Sequence, residues 1–173
     1  QFDEVLKDQR VMPHLHLSIQ SGDDMILKRM KRRHNSKDVF EFVEHCKKIR
    51  EDVSFGADII AGFPTETDEM FDNTYRLLKK NEISHLHIFP FSPKNNTPAS
   101  RMPQVSKLII KKRAKNLREL GELILKKVKS KLSLPREVLI EELNLGLAVG
   151  YDQNYIKHKV PLVGVPVGEI VRV

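Results

Sequence analysis

Phe55-Gly56-Ala57-Asp58-Ile59-Ile60-Ala61 reads as a buried strand, a short apolar run that Gly62-Phe63-Pro64-Thr65 breaks at once. Upstream, Met12-Pro13-His14-Leu15-His16-Leu17-Ser18-Ile19-Gln20 alternates: Leu15, Leu17 and Ile19 fall on one face, and His16, Ser18 and Gln20 on the other. That predicts a strand with one apolar and one polar side. Ser21-Gly22-Asp23 supplies a turn and a cap for a short helix through Met30, and Ser36 is the N-cap candidate of a second helix over residues 36–50. Downstream, Thr67 caps a helix ending near Asn81, with Met70, Phe71, Thr74 and Leu77-Leu78 at helical spacing, and residues 83–91 form another strand. Strand, helix, strand, helix, strand with short connections predicts an α/β fold with a parallel sheet and right-handed crossovers. Three such strands do not close a barrel, but they can form part of one.

Residues 92–103 are rich in Pro, Ser, Asn and Thr and suit an irregular loop at the C-terminal strand ends, where α/β folds place their sites. A long helix is predicted over 106–132, with Ile110, Ala114, Leu117, Gly121, Ile124 and Val128 making one apolar seam that must dock on something. After Pro135 the pattern turns to short β-like runs, at 137–141, 155–160 and 167–173, separated by Gly, Asn and Asp turns. This is a small β module.

The 173 residues are 40% apolar and 31% charged, enough for one domain with a core plus a small appendage. No stretch approaches the roughly 18 apolar residues of a spanning helix, and Gln1-Phe2-Asp3-Glu4 lacks the order of a signal peptide, so a cytoplasmic protein is expected, with no membrane partner. The one cysteine, Cys46, lies in a helical pattern as a packed thiol and excludes a disulfide framework or an all-cysteine metal site made by this chain alone. The net charge of +7 is concentrated: residues 101–134 carry eleven Lys or Arg against two Glu, and the rest is slightly acidic. Such a stripe is the electrostatic footprint of a polyphosphate partner, or else a solvated helix face.

Four segments, in order and spanning nearly the whole chain, resemble the second half of the radical S-adenosylmethionine (SAM) methylthiotransferases. The first is His14-Leu15-His16-Leu17-Ser18-Ile19-Gln20-Ser21-Gly22, running into Leu27-Lys28-Arg29-Met30-Lys31-Arg32-Arg33-His34. Next is Asp58-Ile59-Ile60-Ala61-Gly62-Phe63-Pro64-Thr65-Glu66-Thr67, similar to the family's Asp-x-Ile-x-Gly-Phe-Pro-Gly-Glu-Thr element. Phe89-Pro90-Phe91-Ser92 with Asn96-Thr97-Pro98-Ala99-Ser100-Arg101-Met102-Pro103-Gln104-Val105 is the third, and its spelling resembles most the branch acting on threonylcarbamoyladenosine beside the tRNA anticodon. Last, the β module stands where the family carries a TRAM domain, an RNA-binding barrel.

The resemblance implies residues 1–105 as the C-terminal part of a partial radical SAM (β/α) barrel, 106–134 as a basic docking helix, and 135–173 as a short TRAM-like β module. It implies addition of a methylthio group to C2 of N6-threonylcarbamoyladenosine, with SAM and 4Fe-4S clusters as cofactors and the tRNA anticodon stem-loop as partner. For SAM it implies Ile60 and Gly62 against the adenine, Ser18 and Gln20 on the amino acid or ribose, Arg32 on a carboxylate or second cluster, and Asp58, Phe91 and Ser92 in the same site. Gln20 and Asp58 also fit the plainer role of hydrogen-bonded buried polar residues, and Glu66 that of capping the helix after it. For RNA it implies Lys111, Lys112, Arg113, Lys115, Arg118, Lys126 and Lys127.

Three departures carry expectations. Thr65 stands at the family's second glycine, so a positive φ there would be strained. Asn96 stands at another glycine and tolerates the left-handed region. The Cys-x-x-x-Cys-x-x-Cys motif is missing, so catalysis would need an N-terminal half, on a separate chain if this one acts as it stands. Two other classes compete: a tRNA-binding remnant without catalysis, and a metal-dependent hydrolase on an α/β barrel. The latter rests on His14/His16 and His85/His87, since histidines two apart on a strand face the same way and can share a metal.

Overall fold

The computed structural model of the chain describes residues 1–132, 135–144, 146–161 and 165–173. A short helix α1 (Phe2–Lys7), which the sequence pattern does not announce, precedes strand β1 (His14–Gln20). Then come α2 (Asp24–Arg29), α3 (Ser36–Ile49), β2 (Ser54–Ala61), α4 (Asp68–Asn81) and β3 (His85–Pro90). The three strands make a parallel sheet in the order β1-β2-β3, in accord with the predicted α/β layer. Asp23 caps α2 by accepting from Ile26 N, and Thr67 caps α4 by accepting from Met70 N. For α3 the cap is Asn35 rather than Ser36: Asn35 accepts from Asp38 N while Asp38 accepts from Asn35 N, so two orphan donors of the first turn are satisfied reciprocally.

All the packing helices lie on one face of the sheet. Phe55, Ala57, Ile59 and Ala61 of β2, with Leu15, Leu17 and Ile19 of β1, meet Val39, Val43 and Cys46 of α3, Leu78 of α4, and the long helix α5 (Lys107–Lys131). The predicted seam of α5 is the buried one: Ile110, Ala114, Leu117, Gly121 and Ile124 are covered, Val128 packs at the margin, and Leu120 joins them. Cys46 is a fully buried free thiol, as its helical setting predicts.

The alternation of β1 ends one step earlier than its sequence suggests. The β1–β2 ladder slips between Leu17 and Gln20, and Gln20 aligns with Ile59, a residue of the helix-covered face. With φ of 69° and 9% exposure, Gln20 does not continue the polar side of His16 and Ser18. A bulge re-aims the side chain, which period-two counting cannot foresee.

The β module is a four-stranded antiparallel sheet, ordered β6-β5-β4-β7, of β4 (Glu137–Asn144), β5 (Leu147–Asp152), β6 (Lys157–Val160) and β7 (Ile170–Arg172). Strand β5 escapes the sequence reading because Leu147-Ala148-Val149-Gly150 is apolar throughout and Gly150 looks like a turn. Tyr155, read as a strand residue, instead takes φ of 61° in the β5–β6 turn. Module and parallel layer are joined by Asn154, which is fully buried. Its amide donates to Pro13 O (3.1 Å) and Asp52 O (2.7 Å) at the N-terminal end of the parallel sheet, and its own carbonyl accepts from Ser54 Oγ (3.2 Å). Asp152 fixes that turn by accepting from Asn154 N and Ile156 N, and from Arg136 Nε at 3.0 Å.

Asn154→Ala removes the amide donor from Asp52 O and from Pro13 O, which keeps Ser54 N (2.8 Å), and is expected to lower unfolding stability by roughly 1–2 kcal/mol in urea titration. A midpoint within error of the parent would show that the module does not depend on this joint.

Candidate functional site

The face of the parallel sheet turned away from the helices carries titratable groups in rows. The ladder aligns His14 with Ser54, His16 with Gly56 and His85, and Asp58 with His87. Neighbouring strands stand about 4.8 Å apart, so β1 and β3 are separated by roughly twice that. Yet the rings of His16 and His87 are 4.6 Å apart, and those of His14 and His85 4.8 Å. The imidazoles meet above the middle strand because Ser54 and Gly56 rise too little to keep them apart. A Cβ at Gly56 would fall 2.6 Å from His16 Nδ1. The expected pairing of His14 with His16 and of His85 with His87 along each strand is thereby corrected. Side chains two apart on a strand are about 6.6 Å from each other, and the close pairs form across strands.

Asp58 sits between the upper pair, with Oδ1 2.9 Å from His16 Nε2 and 3.3 Å from His87 Nδ1. The hydrogen bond from His16 holds the Asp58 carboxyl below the ordinary carboxylate range. The lower pair is closed in by the β module: His85 Nε2 donates to Tyr155 O (3.0 Å), and the Tyr155 ring stacks on His14 at 5.5 Å. Burial, then the neighbouring His85 and His16 rings, push His14 down to about 4, and burial lowers His85 as well. Both are therefore neutral bases at pH 7.

The turn after β2 is held by a buried ion pair. Glu66 Oε1 accepts from Gly62 N (3.1 Å) and from Arg113 Nη1 of α5 (2.7 Å), while the other arm of Arg113 reaches Asp68. Glu66 is thus a bridge to α5, not a helix cap. Burial raises the Glu66 carboxyl despite the guanidinium and the Gly62 N–H, which pull the other way. Gly62 has φ of 77°, and a Cβ there would lie 2.4 Å from Ile110 Cγ1, so the close approach it permits on that side is that of α5. Thr65 does take a positive φ, 67°, the strained case, held by a hydrogen bond from Arg29 (2.7 Å) and by its own N–H donating to Pro103 O (3.0 Å). Asn96 likewise adopts φ of 63°.

The residues expected to line one SAM pocket fall in six places. Arg32 and Ile60 line a cleft of about 430 Å³ with Arg29, Phe63 and Thr97-Pro98-Ala99, at the C-terminal ends of the strands. Phe91 and Ser92 line a neighbouring, largely apolar cleft of about 400 Å³ with Gln104, Lys111, Ile110 and Arg118. Ser18 borders a groove between β1 and α3 with His34 and Phe42, and Asp58 lies with the histidines. Gly62 is under α5 and Gln20 is buried at the bulge. Of the basic residues, Lys111, Lys112, Lys115, Arg118, Lys126 and Lys127 are exposed. Arg113 is not: at 5% exposure, with both arms on carboxylates, it is a core residue and is withdrawn from the RNA-facing set. Its place on the apolar seam of α5, three residues after Ile110, was the available signal. Lys127 is shared with Glu82, at 2.9 Å.

A 4Fe-4S cluster takes several thiolates, and the chain's only cysteine is sealed inside α3. The residues present do not fit that group. The Arg32–Ile60 cleft does suit SAM in its donor set, with apolar Ile60 and Phe63 for a purine and two guanidinium groups for a carboxylate.

A parallel α/β layer with clefts at its C-terminal strand ends defines a ligand-binding or catalytic α/β protein. Residues 3–78 match the Radical SAM superfamily. The chain is 50% identical over 163 residues to threonylcarbamoyladenosine tRNA methylthiotransferase MtaB of Rickettsia prowazekii, covering 91% of this chain and 37% of that protein. It is 41% identical over 180 residues to the protein of that name from Thermotoga maritima, with 96% and 40% covered. To tRNA-2-methylthio-N(6)-dimethylallyladenosine synthase of Ehrlichia canis it is 40% identical over 114 residues, 65% of this chain and 26% of that one. The chain belongs to the radical SAM methylthiotransferases, and it spans about two-fifths of the length of the two MtaB relatives.

The neutral histidines make stability pH-dependent. The unfolded His14 titrates near 6.5 and the folded one near 4, so acidification favours the unfolded chain. This contribution is complete above the unfolded value and is lost as pH falls through that window, by at most about 3 kcal/mol. Denaturant melts at stepped pH should show the decline, and His14→Gln should flatten it; an unchanged slope would contradict the assignment.

Proposed function

We propose that the chain supplies the later strands of the barrel, part of the SAM pocket and the RNA-facing helix of an enzyme that methylthiolates N6-threonylcarbamoyladenosine in tRNA. The observation that carries the reading is the 50% identity to a relative of that name along nine-tenths of the chain. The left-handed Thr65 and Asn96, at positions where the family has glycine, support it, since both turns keep the backbone that the glycines would take.

In this reading Arg32 and Arg29 hold the carboxylate of SAM, and Ile60 and Phe63 pack its adenine. When bound, SAM would supply the methyl group and the radical chemistry of the family. Ser18, Asp58, Phe91 and Ser92 surround the strand ends from other sides, and Gln20 and Gly62 shape the backbone there. Cluster cysteines would come from outside this chain, from a separate N-terminal half if the chain acts as it stands. The exposed cations of α5 neutralise phosphates of the anticodon stem-loop, and the antiparallel module serves as the TRAM-like element beside them. A tRNA-modifying enzyme of this kind works in the cytoplasm. No described helix is long and apolar enough to cross a membrane.

Binding to an anticodon stem-loop carrying threonylcarbamoyladenosine, over a salt series, tests this. Replacing Lys111, Lys112 and Lys115 together by Gln should reduce the log–log salt slope by about 2 to 3, given just under one counterion released per phosphate contact. A slope equal to that of the parent chain would take the RNA off this helix.

A further inference from the structure

We propose that His16, Asp58 and His87 form a binding site for a first-row divalent cation of the zinc class, on the open face of the parallel sheet. Each of the three strands contributes one ligand, so the parallel ladder fixes the spacing of the set. The candidate donor atoms, one from each residue, all lie within 4.8 Å of one another. Two of the separations are 2.9 Å (His16 Nε2 to Asp58 Oδ1) and 3.3 Å (His87 Nδ1 to Asp58 Oδ1). Ligand atoms about 2.0–2.1 Å from a tetrahedral ion stand about 3.3 Å from each other, so the two Asp58 separations already suit one ion, and rotation of the imidazoles brings their nitrogens in from within 4.8 Å of each other. Two imidazoles and one carboxylate select Zn²⁺, Fe²⁺, Co²⁺ or Ni²⁺ over the harder Mg²⁺ and Ca²⁺.

The backbone is shaped for this meeting. Gly56, beside His16 on the ladder, has no side chain, and a Cβ there would sit 2.6 Å from the imidazole. The His16 and Asp58 side chains are 33% and 28% exposed, and that of His87 61%, so an ion can enter from solvent. Three protein ligands leave at least one position of a tetrahedral ion open, for water or an anionic oxygen of a ligand. The site requires no cysteine and no second chain, so cation binding is read without the methylthiotransferase activity, although Asp58 is common to both readings.

The full chain, stripped with a chelator, would be titrated with Co²⁺ at pH 7.5 while following visible d–d absorption, and with Zn²⁺ in competition against a chromophoric chelator. A single tight equivalent is expected, with the intense absorption of four-coordinate cobalt. His87→Gln should weaken binding at least about tenfold, and Asp58→Asn more, whereas the surface variant His45→Gln should bind as the parent does. Because His87 is largely exposed, its replacement leaves the fold in place, and a cooperative thermal melt of each variant checks this. No saturable binding by a cooperatively melting parent chain would overturn the proposal. So would binding that survives His87→Gln undiminished.

Discussion

The alternation of strand β2 is the constraint on which the rest of the molecule depends. Toward the helices it presents Phe55, Ala57, Ile59 and Ala61, all buried in the shared core. Toward the other side it presents Ser54 and Gly56 and then Asp58 and Ile60. Large apolar residues on one face give α3, α4 and α5 something to bury against. Small residues on the other let side chains of the outer strands reach over the middle one. A single strand thus places the core beneath the sheet and a histidine-lined face above it. A one-residue slip in its register would exchange the two.

Where β2 ends, a second device transmits its position to α5. The Gly62 N–H, Glu66 and Arg113 form a buried chain from turn to helix, and Ile110 fills the space that a side chain at position 62 would take. Breaking either partner would leave an uncompensated buried charge, which costs far more than an exposed pair contributes. The clefts holding Arg32 and Phe91 lie on either side of this turn, so their shapes follow from it. The exposed lysines of α5 are presented at a fixed angle for the same reason. Site geometry and proposed RNA surface therefore share one mechanical origin.

Much of this was legible in the sequence, and most of what was missed depends on distant partners. The order of strands and helices, the caps at Asp23 and Thr67, and the α5 seam follow from periodicity and local chemistry, and each appears in the structure. The positive φ at Thr65 and Asn96 was legible only against a family in which glycine stands there. The burial of Arg113 could be read from its place on the α5 seam, whereas the bulge at Gln20 and the joint at Asn154 depend on partners 39 and 141 residues away in sequence, which no local pattern encodes. The same holds for the cross-strand histidines. Two His-x-His runs are visible in the sequence, but that they meet over Gly56, with Asp58 between them, is a property of the register.

If this chain can do the work of the corresponding segment of its relatives, it should function when grafted into one of them. The 163 aligned residues would replace their counterpart in the Rickettsia prowazekii relative, and tRNA from cells expressing the chimera would be digested and analysed by nucleoside mass spectrometry. The methylthio derivative of threonylcarbamoyladenosine is expected at a level comparable to that made by the unmodified relative. A chimera that is soluble, folded and loaded with its clusters yet leaves threonylcarbamoyladenosine unmodified would contradict it.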